Sequence, residues 1–298
     1  MTTFPATRTW RTHTLPPRQR GMALVIVLWL VVLLSVMAAG HARGTRAETM
    51  LAARQAGFAK ARALAAAGIN HVILEMLSAN APIRRPADGT VFTIAIAGNA
   101  VTLAIRNATG LVDLNAAGAG LLDDTLRFCG AGDEVRAGLV DAILDWRDGD
   151  HAVHLNGVED RDYLAAGLPW TARDGRFESI DELRYVLGMP QDLFECLESV
   201  VTLYSGRGRI ELPYAPTMLA SAINEGERLP AAPLDTRARP GVRTGTYHIY
   251  STAIGQSGAV AAIEAVVRVT GSAADPYTVL EWREPPRAVL PPVAGGPT

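Results

Sequence analysis

The feature that most constrains this 298-residue chain is an uncharged apolar run of 19 residues from Met22 to Gly40. At ~1.5 Å of rise per helical residue, such a run crosses most of a bilayer core. Four arginines precede it: Arg8, Arg11, Arg18 and Arg20. Because arginine-rich flanks stay on the cytoplasmic side of a membrane, we predict a single-pass protein whose N-terminus lies in the cytoplasm.

Three interpretations of the apolar run remain open from its residues alone. A secretory signal peptide would be cut near Ala38 or Ala42, although its apolar core would exceed the usual ~7–15 residues. A plain membrane anchor would stay uncut. A prepilin leader, 1–21, would be cut on the cytoplasmic face between Gly21 and Met22, and Gly21 lies at the border between polar and apolar sequence, where that cleavage needs it.

The helical pattern continues beyond the apolar run. An apolar residue recurs every seven positions, as in an amphipathic helix: Leu51, Phe58, Ala65 and Val72. Gly68 lowers the helix propensity of this segment, and Pro82 ends it. We therefore predict one helix from Met22 to about Ser78, with residues 41–80 as an amphipathic stalk that follows the membrane span 22–40.

Alternating apolar residues predict an antiparallel sheet in two parts. The first part is 88–110, in which Gly98-Asn99 links two alternating runs as a hairpin. The second part is 240–284, which contains three further runs: Tyr247–Ala253, Val260–Val269 and Tyr277–Trp282. Because the intervening segment 111–204 has a helical pattern, we expect an α+β fold. A long N-terminal helix, first transmembrane and then amphipathic, would pack on a small antiparallel sheet in which a large all-helical domain is inserted.

The charge of the chain is concentrated in the predicted insert. Segment 111–204 has 19 Asp and Glu residues against 7 Arg and no Lys, a net charge of −12, whereas the whole chain carries −2. Residues 205–239 are rich in Pro, Gly and Arg and predict a loop with one candidate short helix near Thr217–Asn224. The Pro- and Gly-rich tail 285–298 has no periodicity, and we predict that it is disordered.

A group of carboxylates in the insert offers candidate metal ligands: Asp145, Asp148, Asp150, Glu159, Asp160 and Asp162. Calcium takes six to eight oxygen ligands, which clustered carboxylates and glycine turns can supply. The spacing is not that of an EF-hand, because Asn156 lies where the closing glutamate of that loop would be. A solvated acidic loop that caps helices is the alternative. Zinc is disfavoured, since His151 and His154 lack a third nitrogen or sulfur ligand at a suitable spacing.

Other function classes find little support in the sequence. No His-Ser-Asp arrangement, glycine-rich phosphate loop or Cys-His pairing stands out, so we predict no enzyme, and a hydrolase using Glu159 and Asp162 is the weaker alternative. Glu182–Pro190 loosely resembles a helix-hairpin-helix nucleic-acid module, but binding phosphate needs Lys and Arg, and the region is strongly acidic.

The chain has two cysteines, Cys129 and Cys196. They fit either one disulfide or two buried thiols.

Several strings occur in a family-specific order along residues 18–285: Arg18-Gln19-Arg20-Gly21 before Met22-Ala23-Leu24; Val112–Ala117; Asp145–Asp150 with Asn156–Asp160 and Tyr163; Phe177–Leu183 with Gly188-Met189; and Val260–Val269 with Leu280–Pro285. Together they resemble minor pseudopilin K of type II secretion systems, the general secretion pathway protein K family. Two departures are that Ile210–Pro216 replaces the Asn-rich string of the family, and that Met22 replaces the usual phenylalanine.

The resemblance implies a non-catalytic subunit at the tip of the pseudopilus, which initiates filament assembly and supports export of folded proteins across the outer membrane. It implies prepilin peptidase cleavage between Gly21 and Met22, an inner-membrane protein with a periplasmic head, and structural calcium. The implied partners are minor pseudopilins I and J, the major pseudopilin, the inner-membrane secretion platform and the peptidase, with no nucleic acid.

One residue of the mature N-terminus agrees with this position in the filament. Major subunits carry glutamate at the fifth mature position, where this chain has Ile26. A carboxylate in lipid is costly unless it has a partner, so its absence fits a tip subunit with no subunit ahead of it. The alternative function is a single-pass pilin-like subunit of a type IV pilus or competence machine.

Overall fold

The structure, a computed structural model, describes residues 22–78, 85–226, 243–255 and 258–284, and gives only the backbone of residues 39–47 and 224–226. The chain divides into two units, Met1–Gln55 and Ala56–Thr298. Three sequence predictions fall outside the described residues: the leader 1–21 with Gly21, the loop residues 227–239 and the tail 285–298.

A single helix, α1, extends from Met22 to Leu77, which agrees in extent with the predicted helix. The side chains from Met22 to Ala38 are exposed. Among the described residues, none of the helices has the length and apolar character needed to cross a membrane. The span predicted at Met22–Gly40 therefore stays a prediction.

The described residues form seven strands: β1 Asp88–Ile96, β2 Asn99–Asn107, β3 Val112–Asp113, β4 Val201–Thr202, β5 Gly245–Ile254, β6 Val260–Val269 and β7 Tyr277–Arg283. Five of them form an antiparallel sheet in the order β1-β2-β5-β6-β7. The predicted hairpin at Gly98-Asn99 is confirmed, because β1 pairs with β2 across this turn and Gly98 has a φ of +74°. The fold is thus mixed helix and sheet, with the expected antiparallel sheet.

The C-terminal half of α1 packs on one face of this sheet. Ile69, Val72 and Ile73 are buried against strand residues that include Leu103 and Ile249. By contrast, the side chain of Phe58 is 48% exposed. The predicted apolar stripe is therefore divided: its C-terminal part covers the sheet, and its upstream part stays exposed.

A glycine permits the close approach of α1 to the sheet. A Cβ atom added at Gly68 would lie 2.6 Å from Ser251 Oγ and 2.9 Å from Val101 Cγ1, closer than van der Waals contact allows. Gly68, which weakens the helix by its propensity, is thus required by the packing between helix and sheet.

Between β2 and β5 the chain forms a second, helical core. Its helices are α2 Ala119–Phe128, α3 Asp133–Arg147, α4 Asp160–Ala165, α5 Gln191–Glu198 and α6 Thr217–Gly226, with 3-10 turns at Ala108–Gly110, Ile180–Tyr185 and Leu212–Tyr214. The short parallel pair β3 and β4 joins the segment before α2 to the segment after α5, with Val112 opposite Val201. The helical core extends beyond Tyr204, because Leu219 of α6 is fully buried in it. The short helix expected near Thr217 is confirmed.

A disulfide ties two helices of this core together. Cys129, at the end of α2, is bonded to Cys196 of α5, and their Cα atoms lie 5.7 Å apart. The bond links residues that are 67 positions apart in sequence. A cross-link over such a loop restricts the unfolded chain and typically stabilises a fold by about 2–4 kcal/mol.

A buried polar network connects the sheet to the helical core. Glu264 of β6 accepts a 2.6 Å hydrogen bond from Arg283 Nε and lies 3.1 Å from His248 Nδ1. The other ring nitrogen of His248 is 3.0 Å from Thr202 Oγ1 in β4. Burial alone would raise the pKa of Glu264, but the hydrogen bonds and positive charges of His248 and Arg283 outweigh burial and lower this pKa to about 2.

We predict that Gly68→Ala destabilises the protein although alanine is the better helix former. The propensity gain is about 1 kcal/mol, whereas overpacking a tight interface costs about 1–3 kcal/mol. The matched control is Gly120→Ala in α2, where no atom lies within 4 Å of an added Cβ. Urea unfolding should show a loss of stability for the first variant and a small gain for the second; a gain for both would contradict the packing role of Gly68.

We predict a second effect from the depressed pKa of Glu264. Its ionised form contributes stability that is fully present above the unfolded pKa of about 4.3 and is lost as pH falls towards 2. At pH 7, Glu264→Gln should cost about 3–5 kcal/mol, because it leaves the buried His248 and the partly exposed Arg283 without their charged partner. The difference from the unsubstituted protein should shrink between pH 4.5 and 2.

Denaturant unfolding across this pH range measures the effect. The control is Asp133→Asn, since the Asp133 side chain is 91% exposed and an exposed ion pair contributes about 1 kcal/mol at most. Equal losses for the two variants, or a loss for Glu264→Gln that does not change with pH, would show that the network does not depend on the charge of Glu264.

Candidate metal centre in the acidic loop

The candidate site is formed where α3 ends and the chain returns through a loop to α4. Asp145 lies in the last turn of α3 and is fully buried, and Asp148 follows as the C-cap residue. Glu159 is the N-cap residue of α4 and is 5% exposed. The end of one helix, the start of the next and the loop between them therefore bring acidic side chains to one place.

Carboxylate oxygens in this place are buried without hydrogen-bond partners. Among the described residues, these oxygens are Asp145 Oδ2, Asp148 Oδ1, Glu159 Oε1 and Oε2, Asp160 Oδ1 and Asp174 Oδ1. Buried polar atoms almost always have a partner, and each exception needs an explanation. A bound cation is the simplest one, because it satisfies several such oxygens together.

Four of these carboxylates, each pair with one histidine, fall into two groups with the spacing of metal ligands. One group is Asp145, Asp148 and His154, and in each group the potential ligand atoms all lie within 4.8 Å of one another. The other group is His151, Asp160 and Asp174. Asp174 is not among the predicted ligands. Its backbone has a φ of +53°, and Asp174-Gly175 is a turn signal in the sequence, but nothing in the sequence connects this turn with the acidic loop.

The electrostatics of the site favour a bound cation. Burial, and then the negative charges of Asp150 and Asp145, raise the pKa of Asp148. Burial, followed by Asp145 and Asp174, likewise raises the pKa of Glu159. Both carboxylates are thus harder to ionise in this place than in water, and a nearby cation would reverse that preference.

Two of the predicted ligands have other roles. Asp150 is exposed and accepts a 2.9 Å hydrogen bond from the Ala152 N–H. Asp162 accepts a 3.0 Å hydrogen bond from the Glu159 N–H and so caps the start of α4. Asp162 thus caps a helix and Asp150 forms a turn, which are the roles expected of a solvated acidic loop. The unpartnered oxygens belong to the other four predicted ligands: Asp145, Asp148, Glu159 and Asp160.

Gly157 shapes the site by leaving room for a carboxylate. A Cβ atom at this position would lie 1.8 Å from Asp145 Oδ2, so no other residue fits without moving Asp145. The remaining oxygen, Asp145 Oδ1, pairs with Nδ1 of His154. This hydrogen bond, with the nearby negative charges, raises the pKa of His154 although desolvation opposes it.

The donor set fits a hard divalent cation. The unpartnered donors are carboxylate oxygens from five residues, and calcium prefers oxygen ligands in flexible geometry. Each group contains one histidine, but the side chain of His151 is 72% exposed, and His154 already pairs with Asp145. Zinc typically takes nitrogen and sulfur ligands in closed tetrahedral sites, which this oxygen-rich arrangement does not resemble.

Comparison with known proteins agrees with the family resemblance of the sequence. Residues 107–206 match the sequence model of the family described as type II secretion system (T2SS), protein K. A curated relative, type II secretion system protein K of Pectobacterium carotovorum subsp. carotovorum, is 30% identical over 205 residues, which are 60% of this chain and 61% of the relative. The chain thus matches less than two thirds of that relative's length.

The fold is similar to that of one chain in a solved structure. It aligns with the crystal structure of the GspK-GspI-GspJ complex from the enterotoxigenic Escherichia coli type 2 secretion system at a TM-score of 0.54 and 15% identity. The alignment covers 82% of this chain and 99% of that chain. At 15% identity, this alignment is evidence for a shared fold alone.

Proposed function

We propose that this chain, whose residues 107–206 carry the domain of type II secretion system protein K, is a minor pseudopilin at the tip of a type II secretion pseudopilus. In this role it initiates filament assembly and supports export of folded proteins across the outer membrane. The observation that carries the proposal is the position of the matched domain. It begins at the end of β2 and ends before β5, so that it interrupts an antiparallel sheet on which a long helix packs.

The proposal includes processing and membrane insertion. Prepilin peptidase would cut between Gly21 and Met22, and Met22–Gly40 would insert in the inner membrane with the head in the periplasm. The arginine-rich leader before an uncharged apolar run supports this topology.

The similar fold comes from a complex with GspI and GspJ, so the corresponding minor pseudopilins are the proposed partners, together with the major pseudopilin and the secretion platform. The exposed part of the apolar stripe, Leu51 and Phe58, is the proposed contact surface.

Processing can be tested at the cleavage site. Gly21→Leu should leave the leader attached, because a bulky residue would block the peptidase, and secretion of exported proteins should stop. Intact-mass measurement of the membrane-extracted protein gives the N-terminus, and Gly40→Leu is a control that should still begin at Met22. A normal mature mass for Gly21→Leu would contradict the proposal. If deletion of this protein leaves secretion intact but abolishes pilus formation or DNA uptake, the type IV pilus or competence alternative is favoured.

We also propose that the acidic loop binds calcium with a structural role. The ligands would include Asp145, Asp148, Glu159, Asp160 and Asp174, whose buried oxygens lack partners. The ion would offset the repulsion among these carboxylates and hold the loop between α3 and α4 against the segment around Asp174.

Calcium binding should appear in thermal unfolding. Binding to the folded form alone adds about 2.7 kcal/mol when free calcium is a hundred times Kd. For a chain of this length, that corresponds to a rise of about 4 °C in Tm. Asp148→Asn combined with Asp174→Asn should abolish the difference between calcium and chelator. Asp150→Asn is the matched control, since Asp150 is exposed and forms a turn, and it should keep the difference. Magnesium should substitute poorly, because it demands tighter octahedral geometry.

An unchanged melting curve in chelator, together with no calcium binding by calorimetry, would show that the cluster is a solvated acidic loop. Loss of the calcium effect in Asp150→Asn but not in the double variant would assign the ion to ligands other than the proposed ones.

A further inference from the structure

The acidic loop presents one apolar side chain almost entirely to solvent. Leu155 is 96% exposed, more than any other large hydrophobic residue that the structure describes, and Val153 beside it is 46% exposed. Single exposed apolar residues are common on proteins. Leu155 differs from them because it lies at the corner of a turn, a position where polar residues and glycine are the usual choice.

The turn that carries Leu155 is fixed on both sides. Before it, the backbone N–H of His154 donates a 3.2 Å hydrogen bond to Asp145 Oδ1. After it, the backbone N–H and the Nδ2 of Asn156 donate to Asp141 Oδ2 at 2.9 and 3.2 Å. The turn is closed by a 3.0 Å hydrogen bond from Gly157 N–H to the carbonyl oxygen of His154.

The two supporting carboxylates, Asp141 and Asp145, lie one helical turn apart on α3. They hold both neighbours of Leu155 to the same rigid helix. A side chain presented in this way loses little conformational entropy when a partner covers it, and such preorganisation is what makes an interface anchor effective.

The surrounding charge selects the class of partner. Asp141 lies next to the turn, where it accepts hydrogen bonds from Asn156, and the segment 111–204 carries a net charge of −12, which one bound calcium ion would leave strongly negative. Anionic lipid surfaces and nucleic acids would be repelled by this surface, and so would the same surface of a second copy. A protein with positive charge around an apolar recess would be attracted and steered to it.

We propose that Leu155 is an anchor residue that inserts into an apolar pocket, rimmed by Lys and Arg, on a folded partner protein. Leu155 supplies the contact, while Asp141 acts as a positioning residue by holding Asn156. The hydrogen bonds that fix the turn can form with or without calcium, because Asp145 accepts from the turn through Oδ1, whereas its unpartnered oxygen is Oδ2. None of these hydrogen bonds involves the leader or α1. A failure of either of those proposals is therefore distinguishable from a failure of this one.

The partner contact can be tested by site-specific photo-crosslinking in the full-length protein, with benzoylphenylalanine at position 155 in isolated native membranes. We expect one dominant protein adduct whose crosslinked peptide lines an apolar pocket with Lys or Arg at its rim. The adduct should fall at least fivefold near 1 M salt, where the Debye length shortens from about 10 to 3 Å. The matched control places the same probe at Met218 of α6, which is 75% exposed and should not give this adduct.

Variants then test the geometry with the identified partner in purified form. Leu155→Ser should weaken binding at least tenfold, and Leu155→Met should leave it within about twofold, since methionine keeps the apolar volume. Asp141→Ala should weaken binding severalfold, and Asp141→Asn should restore it, because the amide oxygen still accepts from Asn156. Adducts with lipid or with a second copy, the same adduct from position 218, or equal affinity for Leu155→Ser and Leu155→Met would each overturn the proposal.

Discussion

Repulsion among carboxylates at the end of α3 is the physical constraint that the loop between α3 and α4 must satisfy. Two like charges 4 Å apart interact by about 4 kcal/mol at an effective dielectric constant of 20, and whole domains are stable by only about 5–15 kcal/mol. Asp145 and Glu159 are buried, with Asp148 and Asp174 close by. Several ionised carboxylates in this space therefore need either protons or a cation. The raised pKa values of Asp148 and Glu159 favour protonation when no cation is bound. The proposed calcium ion would instead allow these carboxylates to stay ionised.

Two further contacts set the position of the insert on the protein. The sheet and α1 approach closely because Gly68 has no side chain. Among the described residues, the apolar cluster between them contains residues of α1, the sheet and the segment before β1, and none of the helical domain. The network of Glu264, His248 and Thr202 then links that sheet to β4 of the insert. The helical domain is thus attached both by the chain at its two ends and by a buried charged network, while the disulfide ties its own helices together.

Much of the fold could be predicted because its periodicities are local. Alternation within Val260–Val269 predicted β6 with the bounds that it has, and the break at Pro82 bounds the region in which α1 ends. The site was harder to predict, because a ligand set is a property of tertiary structure. Asp174 comes from a separate turn, and the hydrogen bonds that occupy Asp150 and Asp162 cannot be distinguished in sequence from ligand positions. The anchor role of Leu155 was equally hidden, since exposure cannot be read from an isolated leucine.

The most direct test of calcium binding in the acidic loop is a crystal structure of the protein. The crystals are grown with calcium, and anomalous diffraction is recorded to locate the ion. We predict an anomalous peak between the end of α3 and the start of α4, about 2.3–2.6 Å from oxygens of Asp145, Asp148, Glu159, Asp160 or Asp174. The contradictory result is a well-ordered loop with no peak, in which these oxygens are hydrogen-bonded only to water and neighbouring N–H groups.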